Sequence, residues 1–218
     1  MNRIIRAVAT ARLVPARDWL RPRRIALVRK VARHTLLPHA RLSHLADLAT
    51  GLPTGAVVEC GSYEGGSGAV LAVASGRPTW LFDSWEGCPE PEPHDVDRHG
   101  IAAEAGQFAA SHDRARQLID TLWLDGQVRL VRGWFEDTLP ATKVDIGPIA
   151  LLHIDADWYD SVRTCLEELA GQIVPGGVVV VDDYGEWQGA RKATDEWLDG
   201  RGIDLHRFDD SQAWFVNP

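Results

Sequence analysis

The chain has 218 residues, 45% hydrophobic and 25% charged, which suffices for one α/β domain with a well-buried core. No apolar run reaches the roughly 18–20 residues that span a bilayer, and Arg3, Arg6 and Arg12 interrupt the start where a signal peptide would be apolar. Three cysteines without metal-type spacing point to a reduced, cytoplasmic setting, with Cys60 and Cys165 as small core residues.

The net charge of −8 is unevenly spread. Residues 1–50 carry eleven Lys or Arg against Asp18 and Asp47, a balance of +9, so the remainder carries −17. Apolar positions in this segment recur at helical spacing, with Pro15, Pro22 and Pro38 as breaks, and predict two or three helices outside the sheet. Such a segment reads as a lid or a homo-oligomer contact. Its charge suits a solvated arm neutralised by the acidic body or a second subunit, or else an acidic partner such as a carrier protein or a membrane surface. Nucleic acid is disfavoured, because the arm is Leu-rich without interleaved aromatics.

From residue 51 onward the pattern is that of a second unit, 51–218. Ala56 to Cys60 (AVVEC) reads as a buried strand, followed by Gly61-Ser62-Tyr63-Glu64-Gly65-Gly66-Ser67-Gly68 and a helix. The spacing is not the dinucleotide fingerprint, and a longer loop suits a ligand without a pyrophosphate. Pro78 to Phe82 is a second strand ending at Asp83, about 20 residues past the glycine turn, where an acid can hydrogen-bond ribose hydroxyls. Residues 84–100 read as a loop, of the kind that often forms a lid, with His94 and His99 as surface residues. Ile101 to Leu124 reads as a helix with Trp123 on its apolar face, and Gln127 to Val131 as the third strand, leading to Gly133-Trp134-Phe135.

The most informative stretch runs from Leu151 to Tyr184. Ile149 to Ile154 is a buried strand that emerges on Asp155, Asp157 and Asp160; Tyr159 to Gly171 is a helix; Gly177 to Val181 is a strand that emerges on Asp182 and Asp183. In an open parallel sheet, ligands bind outside the carboxyl ends of the strands. Carboxylates with no basic residue beside them in the sequence repel one another unless a cation joins them, which predicts a divalent metal. Gly189 to Gly200 is a further helix, and Ile203–Phe208 with Ala213–Val216 a closing hairpin. Five β–α steps and a hairpin make an α/β fold of the class I methyltransferase kind, a mostly parallel seven-stranded sheet.

The motifs ECGSYEGGS, LFDSWEG, VRGWFEDTLP, LLHIDADWYDS and VVVDDYGEWQGARKA, in that order, resemble the macrocin O-methyltransferase family. The resemblance implies an S-adenosylmethionine (SAM)- and Mg²⁺-dependent enzyme that methylates a hydroxyl of a sugar-bearing or polyhydroxylated natural product. It implies metal ligands at Asp155, Asp182 and Asp183 and a general base at Asp157. It also implies SAM held around Glu59, Gly61, Ser62, Gly65, Ser67, Asp83, Ser84, Gly133 and Trp134. Asp157 is equally suited to cap the following helix, and His153, inside an apolar strand, suits a core role. Trp85, Trp158 and Trp187, close to three acidic motifs, either wall the acceptor pocket or pack in the core. Arg191 either supports the acid pair or is exposed. Two other functions fit the same residues: a metal-dependent nucleotide-sugar glycosyltransferase using the D-x-D motif, and an inactive methyltransferase-like partner protein.

Overall fold

The computed structural model describes residues 22–218; Pro15 and the arginines before it lie outside that range. The described chain runs α1 (Pro22–Val31), α2 (His39–Leu48), β1 (Ala56–Cys60), α3 (Gly66–Ser75), β2 (Thr79–Asp83), α4 (His112–Thr121), β3 (Val128–Arg132), α5 (Phe135–Ile146), β4 (Ile149–Ile154), α6 (Tyr159–Leu169), β5 (Ile173–Val181), α7 (Gln188–Leu198), β6 (His206–Arg207) and β7 (Ala213–Val216). The seven strands form one sheet in the order β3-β2-β1-β4-β5-β7-β6. Strands β1 to β5 are parallel, and β7 pairs antiparallel with β5 and with β6.

Both faces of the sheet are covered, which is why the central strands read as unbroken apolar runs. Alternate residues feed two cores. Val58, Leu152, Val179 and Val181 face the side covered by α5, α6 and α7. Val57, Leu151, Val178 and Val180 face the other side, where Leu42, Leu45 and Val70 of α2 and α3 also pack. Pro22 and Pro38 act as helix-starting residues, Pro22 opening α1 and Pro38 at the N-cap of α2.

The segment before residue 50 is seated by polar contacts as well. His34 donates or accepts at Nδ1 with Glu64 Oε2 at 3.1 Å, and its carbonyl accepts from the Gly66 N–H at 2.9 Å, so the α1–α2 linker rests on the glycine turn. Arg114 of α4 reaches the other Glu64 oxygen at 3.0 Å.

Three sequence expectations are corrected. Residues 101–111 are not helical: the chain is held by the Val96–Ala102 bridge and by paired backbone bonds between Cys88 and residues 106–107, and the helix starts only where the Ser111 hydroxyl accepts from the Arg114 N–H. Trp123 lies past that helix, at φ +58° and 89% exposed, rather than on an apolar face. Helix α5 was unforeseen, since Pro140 sits inside it. Pro140 falls in the second turn, where its missing N–H costs a single internal bond. The loop 84–100 is docked: Asp95 is buried and accepts from the Tyr159 and Glu92 N–H groups, both at 2.8 Å. Within it His99 is exposed, while His94 is half-buried edge-on against Tyr159.

Leu42 is fully buried in the core shared by α2 and the sheet. Leu42→Ala is expected to destabilise the fold by about 2–5 kcal/mol in urea unfolding, the usual cost of a large-to-small change in a packed core. The histidines add a pH dependence. Burial lowers the His34 pKa below the ordinary 6.5, against the pull of Glu64, and burial with Arg29 nearby does the same to His39. Protonation therefore favours the unfolded chain, so their contribution is full above pH 6.5 and is lost as pH falls through the lowered folded values. A His34→Gln/His39→Gln double variant should lose less stability than the wild type between neutral and acidic pH; equal slopes would remove the assignment.

Candidate active site

The carboxyl ends of β1, β2, β4 and β5 open on one cavity of about 190 Å³. Its wall includes Gly61, Asp83, Ser84, Gly133 and Trp134 on one side and Asp155, Asp157, Asp182 and Asp183 on the other. The strands that deliver these residues touch end to end: Gly61 donates its N–H to Phe82 O at 2.9 Å, Asp155 to Cys60 O at 2.8 Å, and Asp182 to Ile154 O at 2.9 Å. Gly61, at φ +86°, is required here, because a Cβ would run into the Asp155 carbonyl.

On the glycine-turn side, Asp83 is the organiser. Its Oδ2 accepts from the Ser62 and Tyr63 N–H groups at 2.8 Å each, and its Oδ1 from the Trp85 N–H at 2.6 Å. Burial raises the carboxyl's pKa, with those three N–H donors opposing the shift. Ser62, Gly65 and Ser67 are buried in the turn beneath rather than on the cavity wall. Glu59 is likewise absent from the cavity wall. It is fully buried inside the sheet with Oε1 3.0 Å from His153 Nδ1, so His153 is a core histidine as the apolar strand suggested.

The acidic side carries Asp155, Asp182 and Asp183, each offering an oxygen within 4.8 Å of the others. Desolvation, and then the Asp182, Asp183 and Asp157 carboxylates, push the Asp155 carboxyl well above the usual carboxylate range. Burial is the larger cause of that shift, and the neighbouring negative charge adds to it. The oxygen donor set suits a hard dication, which takes carboxylate ligands. Asp157 lies beside the trio at φ +58°, a left-handed conformation that costs about 1–3 kcal/mol for most non-glycine residues. The N-cap of α6 is Trp158, and the Tyr159 N–H is taken by Asp95, so the capping role falls to other residues. The Cys88 thiol donates to Asp157 Oδ2 at 3.8 Å.

One feature contradicts the expectation that no basic group stands beside the acid pair. Arg41 of α2, 141 residues away in sequence, donates from Nη1 to Asp182 Oδ2 at 2.7 Å and from Nε to Asp209 Oδ2 at 2.8 Å. Asp182 Oδ1 accepts from Gln212 Nε2 at 2.7 Å. Burial works against the guanidinium's charge, yet Asp182 and Asp209 outweigh it and hold Arg41 charged. The guanidinium's hydrogen bonds go to Asp182 and Asp209, and Asp183 acts on it only through charge. Arg191, by contrast, is exposed and stacks on Tyr184.

Of the two roles open to the tryptophans, the structure shows packing. Trp85, Trp158 and Trp187 are all buried and none lines the cavity: Trp85 donates its Nε1–H to Tyr63 O at 2.6 Å, and the other two pack in the core beside α6 and α7. The aromatic wall is made of Tyr63, Phe108, Trp134 and Phe135. Leu36, Leu37, Pro38 and Arg41 close the cavity from the N-terminal segment. These residues carry no motif, and apolar spacing in the segment was their only trace in the sequence.

A family model described as Macrocin-O-methyltransferase (TylF) matches residues 10–216. The chain is 36% identical over 166 residues to 8-demethyl-8-(2,3-dimethoxy-alpha-L-rhamnosyl)-tetracenomycin-C 4'-O-methyltransferase of Streptomyces olivaceus, a match covering 69% of this chain and 62% of that protein. It thus spans less than two thirds of that relative's length. It is 30% identical over 190 residues to mycinamicin III 3''-O-methyltransferase of Micromonospora griseorubida, covering 78% and 72% of the two chains. Among solved structures, the O-methyltransferase NovP superposes with a TM-score of 0.72 at 28% identity, over 84% of this chain and 82% of that one. The calicheamicin methyltransferase CalS11, at 20% identity and a TM-score of 0.71, covers 99% and 91% and supports the same class I methyltransferase fold.

Proposed function

This chain belongs to the macrocin O-methyltransferase family, and we propose that it transfers a methyl group from SAM to a hydroxyl of a sugar-bearing natural product with the help of Mg²⁺. The observation that carries the reading is a single cavity with two chemically different walls, one built on Asp83 and the Gly133–Trp134 turn, the other on the Asp155, Asp182 and Asp183 carboxylates. The first wall suits a nucleoside. Asp83, fixed by three backbone N–H groups, presents oxygen lone pairs to a ribose diol, and Trp134 and Phe135 offer aromatic surface to a base. The second wall suits a metal held by Asp155, Asp182 and Asp183.

When bound, the sulfonium supplies an electrophilic methyl and the dication lowers the pKa of an acceptor hydroxyl. Asp157 takes that hydroxyl's proton at a carboxylate oxygen. Three residues past the end of β4, in a left-handed conformation, Asp157 lines the cavity, and the Cys88 thiol steadies Oδ2. The cavity wall from Leu36 to Pro38 closes the site over the reactants as a lid from the N-terminal segment and keeps water out. Most of the rate then comes from holding the reacting atoms in line, an effect with effective molarities of about 10⁵–10⁸ M in well-oriented systems. The names of the relatives direct the acceptor search to deoxysugar glycosides, rhamnosides first.

SAM-dependent methylation of rhamnoside acceptors, followed by mass spectrometry in Mg²⁺ and in EDTA, tests the assignment. Asp183→Ala should remove metal-stimulated transfer while S-adenosylhomocysteine still raises the melting temperature, by an amount corresponding to about 2.7 kcal/mol at a hundredfold excess over Kd. Full activity of that variant in EDTA would refute the metal's role. Asp157→Asn should lower turnover by about 10²–10⁴-fold with Mn²⁺ affinity retained, the usual scale for loss of a general base. An unchanged rate would take the proton-acceptor role away from Asp157.

A further inference from the structure

Arg41 occupies a position that the proposed chemistry does not use. It belongs to α2, in the segment that closes the cavity, and its guanidinium bridges Asp182 Oδ2 and Asp209 Oδ2 at 2.7 and 2.8 Å with the side chain only 11% exposed. Asp209 belongs to the β6–β7 turn. Its other oxygen accepts from the Ser211 and Gln212 N–H groups at 2.9 and 2.7 Å, and Gln212 in turn donates to Asp182 Oδ1. The Gln212 amide has a single workable orientation, because the Asp182 carboxylate only accepts and so takes the Nε2 donor, which leaves Oε1 facing His44 Nδ1 at 2.6 Å. His44, stacked on Phe208 at 3.9 Å, is also a residue of α2. A closed ring of hydrogen bonds therefore runs from Arg41 to Asp182, to Gln212, along the turn to Asp209, and back to Arg41.

We propose that Arg41 is the internal counter-ion of the carboxylate trio, sharing Asp182 with the metal and thereby linking metal occupancy to the seating of α2 over the cavity. The inference rests on the reading that the trio takes a dication. Three features carry it. Each Asp182 oxygen already has a protein donor, Arg41 Nη1 on Oδ2 and Gln212 Nε2 on Oδ1, so a metal ligand from Asp182 must come from an oxygen held by Arg41 or by the amide of the same ring. The guanidinium sits on the wall of the same cavity, so it and a dication feel one another at short range in a poorly solvated place. Asp209 draws part of the Arg41 charge away, so the turn residue tunes how strongly Arg41 opposes a second cation. Linkage makes the effect reciprocal: whatever weakens the hold of Asp182 on Arg41 when the metal binds must, to the same extent, let a loosened α2 favour the metal. Leu36, Leu37 and Pro38 precede α2 and wall the cavity, so this coupling would give metal binding a say in access to it.

A role that is only structural and a role as counter-ion differ in sign. If Arg41 merely props Asp182, Arg41→Gln and Asp209→Asn both loosen the ring and both weaken metal binding. If Arg41 is the counter-ion, Arg41→Gln removes a competing charge and tightens binding, roughly tenfold, within the 5–150-fold range of typical couplings. Asp209→Asn frees the full guanidinium charge for Asp182 and weakens binding instead. The test is Mn²⁺ binding to the full chain, followed by electron paramagnetic resonance without cofactor or acceptor, in the wild type and both variants, with circular dichroism to verify folding. Opposite shifts in the two variants support the proposal. Equal or parallel shifts overturn it while leaving the metal reading intact. Absence of Mn²⁺ binding in all three folded proteins overturns the metal reading itself. If Arg41→Gln fails to fold, Arg41→Lys keeps the charge but not the fork; under the proposal it binds Mn²⁺ no tighter than the wild type while Asp209→Asn still binds more weakly, and any tightening in Arg41→Lys counts against it.

Discussion

Repulsion among carboxylates is the constraint around which this molecule is arranged. Parallel strands β4 and β5 are neighbours, so whatever residues follow them are delivered to one place, and here those residues are Asp155, Asp182 and Asp183. Ionised carboxylates with oxygens within 4.8 Å in a partly dry site cannot simply be tolerated. The structure answers part of the charge with Arg41 and the Gln212 amide, and part by pushing the Asp155 carboxyl toward its neutral form. What is left is an oxygen-rich position that a hard cation fits.

The same constraint explains why elements far apart in the chain meet at this end of the sheet. Helix α2 contributes Arg41 and His44, the terminal hairpin contributes Asp209 and Gln212, and strand β5 contributes Asp182. His44, Gln212 and Asp182 are buried polar groups that need partners at that depth, and Arg41 is nearly so. Together they satisfy one another. The antiparallel β7, inserted between β5 and β6, is what carries the 209–212 turn up to the strand ends. The hairpin is thus a support for the site as well as the closing edge of the sheet.

The opposite wall works by a different physics. Asp83 faces no carboxylate trio; it is held by three backbone N–H groups of the turns that follow β1 and β2. Its position depends on how closely β1, β2 and β4 approach, which Gly61 permits. The Asp83 wall and the carboxylate wall are therefore separated across one cavity, each supported by its own set of strand ends. The N-terminal segment covers both and touches each of them, Glu64 beneath the glycine turn through His34, and Asp182 through Arg41.

Sequence alone determined what depends on neighbours along the chain. Unbroken apolar runs marked the buried strands, and β4 falls at Ile149–Ile154 as its pattern indicated, because both faces of a central parallel strand must be apolar. Acids directly after those runs marked the site, because topology alone carries strand ends to one edge. Only the tertiary structure decided the rest. Residues 101–111 have helical composition but are held by bonds to the preceding loop, and α5 forms across Pro140 at the loss of a single internal bond in its second turn. Trp158 and Trp187, beside the acids in sequence, suited either a pocket wall or the core, and the packing of α6 and α7 places them in the core. Arg41 is the clearest case. Its motif-free position gives no hint of the Asp182 contact, since an ion pair spanning 141 residues is set by the docking of α2 on the sheet rather than by any local preference.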